Sequence, residues 1–203
     1  MRIPDEVAIL ALHKRHAPTP EALDAVYTHC RIVCDIAEQL RARSGLDADL
    51  GLVRAGALLH DVGVYQLYDA AGRLDHAQYI RHGLLGHELL RAEGLPEALC
   101  RFASHHTGVG ITREDVLRQE LPLPPADYVA ETPEETLVMY ADKFHTKTAP
   151  PAFLAAAAYA AYVCRFGADK VAAFDAMRAT LGDPDLPPLA AAYGQPIATV
   201  AYG

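Results

Sequence analysis

The sequence predicts an all-α protein. Apolar residues recur three and four positions apart along most of the chain, several segments open on Ser/Thr/Asp-type N-cap signals, and polar–apolar alternation of strand type is scarce.

The segments follow in order. MRIPDEVAILALHKRH reads as an N-terminal helix with His13 and His16 on its surface. TPEALDAVYTHCRIVCDIAEQLRAR starts a helix with Thr19 as N-cap and Pro20 at the first helical position, and Gly45 closes it. Its apolar face carries Leu23, Val26, Tyr27, Cys30, Val33 and Cys34. DADLGLVRAGALLHDVG predicts a second, largely buried helix that stops near Gly63. LYDAAGRLDH is a loop, and HAQYIRHGLLGHELLRAEG a third helix closed by Gly94. LPEALCRFASHHTG predicts a fourth, ending at Gly108. TREDVLRQE is a short helix with a Thr112/Asp115 cap, expected to wall a pocket. After the Pro-rich LPLPPADYVAETP, a capping box of Thr132 and Glu135 restarts a helix through LVMYADKFH. Helices over about 151–165 and 168–181 and a short terminal helix complete the chain.

Length and composition bound the function. The chain has 203 residues, suits one domain and is 51% hydrophobic, enough for a sizeable core. The formal net charge of -8 argues against a duplex nucleic-acid binder. The 4 Cys make no CxxC pair; Cys30 and Cys34, four apart, read as two small buried hydrophobes, and no disulfide framework is expected. No signal peptide is legible at the start, and the apolar run 152–164 is too short to span a bilayer. A cytoplasmic protein is expected, with no membrane partner. The run 152–164 is read as core or as a homodimer face.

The chemistry lies in the histidines. Of the 10 His, seven (His29, His60, His76, His82, His87, His105 and His106) fall between positions 29 and 106. His29, the doublet His60-Asp61, His82, the pair His105-His106, and Asp142 all sit beside core-like sequence on predicted helices. One inward histidine can be satisfied by a carbonyl. A packed set of His and Asp would cost several kcal/mol unless matched, and a divalent metal satisfies them together. Mixed His/carboxylate ligation favours iron or manganese over calcium, with magnesium, cobalt, nickel and zinc compatible. Lys143, next to Asp142, is a candidate phosphate contact. Arg81, His145, Lys147 and His76 are weaker candidates for substrate contact or the site mouth, and His87 is read as structural or supporting the ligands from behind.

The order His29, His60-Asp61, Asp142 resembles the H…HD…D signature of the HD-domain superfamily of metal-dependent phosphohydrolases, and HDVG at 60–63 resembles its HDIG variant. His82 and His105-His106 are similar to the extra histidines of two-metal members such as diadenosine tetraphosphate hydrolases. The resemblance covers about residues 20–147. It implies an HD-domain helical bundle, a single domain over 1–203 with extra C-terminal helices from about 148. It implies two divalent ions, one held by His29, His60, Asp61 and Asp142. Asp61 would bridge to a second ion held by His82 and His105, with His106 a further candidate. It also implies hydrolysis of a small phosphate ester or nucleotide by metal-activated hydroxide at Asp61; Lys143, from its place beside Asp142, is read as the second catalytic candidate. A GYP motif is lacking, so cyclic-di-GMP is not the expected substrate, and KFHTK after Asp142 is unlike the tetraphosphate hydrolases. The rival readings are a di-iron oxygenase of the same fold, a non-catalytic ligand-binding regulatory module, and histidines that serve only as buried hydrogen-bond partners.

Overall fold

The computed structural model describes residues 3–199. Among them the architecture is helical, with ten α-helices and one small sheet. The helices are α1 (Glu6–His16), α2 (Pro20–Ser44), α3 (Leu50–Leu59), α4 (His82–Ala92), α5 (Glu97–Ser104), α6 (Arg113–Arg118), α7 (Pro133–Ala141), α8 (Ala156–Val163), α9 (Ala168–Leu181) and α10 (Leu186–Tyr193).

Local chemistry explains most boundaries. Thr19 Oγ1 accepts from Ala22 N at 3.1 Å, and α2 ends where Gly45 turns left-handed at φ 69°. Asp49 caps α3 by accepting from Leu52 N at 3.0 Å. Thr112 and Asp115 form the reciprocal capping box of α6. The box expected at Thr132 is only half made. Thr132 accepts from Glu135 N, but the Glu135 carboxylate is taken by Arg101 at 2.7 Å and by Glu131 N at 2.7 Å.

The buried core runs along α2, α3, α5 and α7. Cys30, Ile32, Val33 and Ile36 of α2 are fully buried, as are Val53 and Leu59 of α3 and Leu137 and Val138 of α7. Phe174 of α9 joins the same cluster, its ring 5.5 Å from that of Tyr140. Tyr140 Oη donates to Gly182 O at 3.0 Å, and Tyr193 Oη donates to Asp35 Oδ2 at 2.6 Å, which ties α10 to α2. None of the described helices is long and apolar enough to cross a membrane.

Three sequence expectations need correction. His13 is not a surface residue. It is fully buried, with Nε2 donating to Leu58 O at 2.8 Å and Nδ1 accepting from Tyr65 Oη at 2.8 Å. A helical periodicity cannot show that another element covers a given face, and α3 with the turn after it covers this one. The segment expected as one helix from about 151 begins instead with a strand, β2 (Ala152–Leu154), and α8 starts at Ala156. β2 pairs antiparallel with β1 (His145–Thr146) and parallel with β3 (Ile197–Ala198), in the order β1-β2-β3. Two-residue strands leave almost no alternation to read. The third predicted helix begins as a 3-10 turn at His76–Arg81 and becomes α-helical at His82.

Gly63 of HDVG is required for its size. A Cβ there would lie 2.1 Å from His82 O and 2.2 Å from Gly86 N. The 3-10 turn Val62–Leu67 therefore packs backbone to backbone on α4, which brings the His60-Asp61 doublet beside His82.

Candidate metal centre

Four imidazoles and two carboxylates converge from five parts of the chain. His29 comes from the middle of α2, and His60-Asp61 from the end of α3. His82 opens α4, His106 follows α5, and Asp142 ends α7. His29, His60, Asp61, His82 and His106 are all buried. His29, His60 and Asp142 each offer a donor atom within 4.8 Å of the others, and so do His60, Asp61 and His106.

The tautomers follow from the outer hydrogen bonds. Nδ1 of His60 donates to Ala57 O at 2.7 Å, and Nδ1 of His82 to Tyr79 O at 2.6 Å. Nδ1 of His106 donates to Ala103 O at 2.7 Å, and Nδ1 of His29 to His145 Nδ1 at 2.8 Å. Each ring therefore turns a bare Nε2 lone pair inward. Two such pairs meet head on: His82 Nε2 is 3.0 Å from His106 Nε2, and His60 Nε2 is 3.3 Å from His29 Nε2.

The electrostatics agree for three of the four imidazoles; burial opposes charge on His60, but Cys30 and Asp61 raise its pKa well above 6.5, so it carries a proton that a bound cation would displace. Burial pushes His29 and His82 down to about 3, and His106 is lowered for the same reason. Burial opposes charge on Asp61, yet the Lys147 ammonium and the nearby imidazoles hold its carboxyl well below the usual range. Asp142 behaves alike, with Lys143 as its main cationic neighbour. Neutral imidazoles and ionised carboxylates are the protonation states that ligate metal. Asp61 Oδ1 is buried without a hydrogen-bond partner among the described residues, 3.4 Å from His82 Nε2 and 3.6 Å from His106 Nε2. An orphaned anionic oxygen among facing lone pairs is costly for a bare protein and fits a divalent cation.

The other candidates are placed as follows. His105 does not enter the cluster. Its Nδ1 bonds Ser104 Oγ at 2.6 Å, and its ring lies 6.1 Å from that of Tyr128. Successive residues at a helix end point about 100° apart, so one of the pair faces the cluster, and it is His106. His87 bonds Ser104 Oγ from the other side at 2.9 Å. Lys143 is buried, with Nζ on Asp142 Oδ2 at 2.6 Å and on His106 O at 3.1 Å. His76 is exposed, and Arg81 reaches Gln78.

The sequence ranked Lys147 and His145 too low and missed Gln195. Lys147 pairs with Asp61 Oδ2 and sits 5.5 Å from the centroid of the Tyr79 ring. His145 holds His29, and its Nε2 donates to Gln195 Oε1 at 2.7 Å. His145 lies on β1 and Lys147 just beyond it, so neither continues the helix that ends at Asp142.

Comparison with known proteins follows from this geometry. The family model of the HD domain matches residues 26–147. An uncharacterized protein of Methanocaldococcus jannaschii is 39% identical over 127 residues, 60% of this chain and 68% of that protein. A tRNA (cytidine(56)-2'-O)-methyltransferase of Thermoplasma volcanium is 36% identical over 140 residues, 69% of this chain. The chain spans only 36% of that relative's length. Among solved structures, the HD domain of the L. monocytogenes phosphodiesterase PgpH superposes with TM-score 0.53 at 18% identity, covering 91% of this chain and 98% of that one. The same domain in complex with cyclic-di-AMP gives TM-score 0.54 at 19% identity, covering 96% and 100%.

Proposed function

The chain belongs to the HD domain family, and from that premise we propose that it is a metal-dependent phosphohydrolase acting on a small phosphate ester or nucleotide. One observation carries the reading. The buried Asp61 Oδ1 has no hydrogen-bond partner among the described residues, and Nε2 of His82 and Nε2 of His106 face each other beside it at 3.0 Å.

His29, His60, Asp61 and Asp142 would hold one ion, and Asp61, His82 and His106 a second. A divalent metal, when bound, acidifies water toward neutral pH and offsets negative charge on a phosphoryl group. The protein supplies the rest. The Ala57, Tyr79 and Ala103 carbonyls, which accept from Nδ1 of His60, His82 and His106, and His145, which accepts from His29, keep the four rings oriented inward without reorganisation. Lys143 has two acceptors among the described residues, one fewer than an ammonium can satisfy, so its third N–H is available to orient a phosphoryl oxygen. Lys147 partly neutralises Asp61. The neighbour solved with cyclic-di-AMP keeps nucleotides among the esters to be screened.

The test is metal content by mass spectrometry, with a phosphate-ester screen in manganese and in iron under air and under nitrogen. About two ions per chain are expected, with hydrolysis independent of oxygen. Asp61→Asn is expected to lose bound metal and all turnover. Full hydrolysis by that variant would defeat the proposal, and turnover that requires oxygen would replace it with the oxygenase reading.

A further inference from the structure

A cavity of about 390 Å³ adjoins the cluster, within the usual size of small-molecule sites. Lys143 lines it, with Nζ 2.6 Å from Asp142 Oδ2. Most of the remaining wall is apolar, with Ile80, Ile111, Tyr159, Tyr162, Val163 and Phe166, while Thr107, Gln119 and the Asp115–Lys170 pair are its polar members. Tyr162 forms an aromatic row, with ring centroids 6.0 Å from Tyr159 and 5.4 Å from Phe166.

Two further features show that the cavity is built. The buried Lys170 of α9 donates to Gly110 O at 2.9 Å and pairs with Asp115 of α6, which clamps the C-terminal wall to the wall after His106. Lys143 is the lining cation beside the cluster, and its partner Asp142 is one of the carboxylates that a metal would share. The aromatic row lies at 159–166, beyond the family match that ends at 147.

Resting on the phosphohydrolase reading, we propose that this cavity is a subsite for an aromatic ring, so that the substrate is a phosphate ester of a ring-bearing group. Its phosphate would meet Lys143 and the metal cluster, and its ring would pack on Tyr159, Tyr162 and Phe166. Aromatic pairs gain from edge and offset geometry beyond area burial, which favours a ring over an aliphatic chain against this wall.

The test is calorimetric titration of the whole, metal-loaded chain with methylphosphonate and with 2-naphthylmethylphosphonate, neither of which offers an ester bond to cleave. The ring is expected to tighten binding at least tenfold. Ile111→Trp, which fills the cavity, and Tyr162→Ala, which removes the central ring, should each cut that advantage at least fivefold and leave methylphosphonate binding within twofold. The unchanged methylphosphonate binding also shows that a variant is folded. An advantage under twofold in the unaltered chain, an advantage that survives both variants, or no phosphonate binding at all would overturn the subsite. Ring-dependent binding without hydrolysis of any ester would overturn the proposed function and leave the subsite standing. Hydrolysis without ring preference would do the reverse.

Discussion

His29 Nδ1 lies 2.8 Å from His145 Nδ1, and His145 Nε2 lies 2.7 Å from Gln195 Oε1. Two imidazole nitrogens at that distance share one proton. The amide oxygen fixes the proton on His145 Nε2, so His145 Nδ1 accepts and His29 Nδ1 donates. The tautomer of an inward histidine is thus set from β1 and from the segment before β3, 116 and 166 positions away in sequence. His145→Phe is expected to weaken metal binding 10–100-fold without changing the number of ions, the usual cost of losing an outer partner. Gln195→Leu should have a smaller effect of the same sign. Metal titration checks both, and unchanged affinity in His145→Phe would show that His29 is held by other means.

The adjacent histidines His105 and His106 should separate cleanly. His106→Ala is expected to remove one ion, because its Nε2 faces Asp61 Oδ1 at 3.6 Å. His105→Ala should keep metal stoichiometry, since its Nδ1 is turned to Ser104 and Arg101. Mass spectrometry of both variants checks the assignment.

His13 gives a pH test away from the cluster. Burial lowers it from 6.5 to about 4. A histidine whose folded pKa is depressed binds its proton more readily when unfolded, so its contribution is present above pH 6.5 and is lost as pH falls from 6.5 to 4. The loss is about 3 kcal/mol across that window. His13→Gln can keep both hydrogen bonds, to Leu58 O and Tyr65 Oη, without titrating. Its urea-denaturation stability is expected to fall less steeply, by up to about 1.4 kcal/mol per pH unit. Parallel profiles for the two proteins would refute this.

Gly63→Ala places a methyl against the backbone of α4, at 2.1 Å from His82 O. Backbone cannot yield as a side chain can, so a loss of about 3 kcal/mol is expected, at the upper end for overpacking. Because His82 is itself an inward ligand, metal affinity should fall together with melting temperature. Calorimetric melting with and without chelator reads both.

Much of the site was legible before any coordinates. His29, His60-Asp61, His82 and Asp142 each lie beside apolar residues at helical spacing, and they do converge. The HD resemblance, the helical class and the short α6 wall were readable for the same reason: capping and periodicity are local, and they report what lies within about one helical turn.

Tertiary structure decided what local pattern does not encode. It selected His106 over His105, since the exit angle of α5 turns one ring inward. It buried His13 under α3 and the following turn, brought Lys147 onto Asp61, and set Gln195 behind His145 through the β2–β3 pairing. It also assembled the aromatic cavity from α8 and the segment after His106, held by Lys170 and Asp115. Such contacts join residues 45 to 86 positions apart, and the chain reveals them only when helices pack. The sequence by itself determined which side chains can bind metal; packing determined which of them meet, with what tautomers, and beside which pocket.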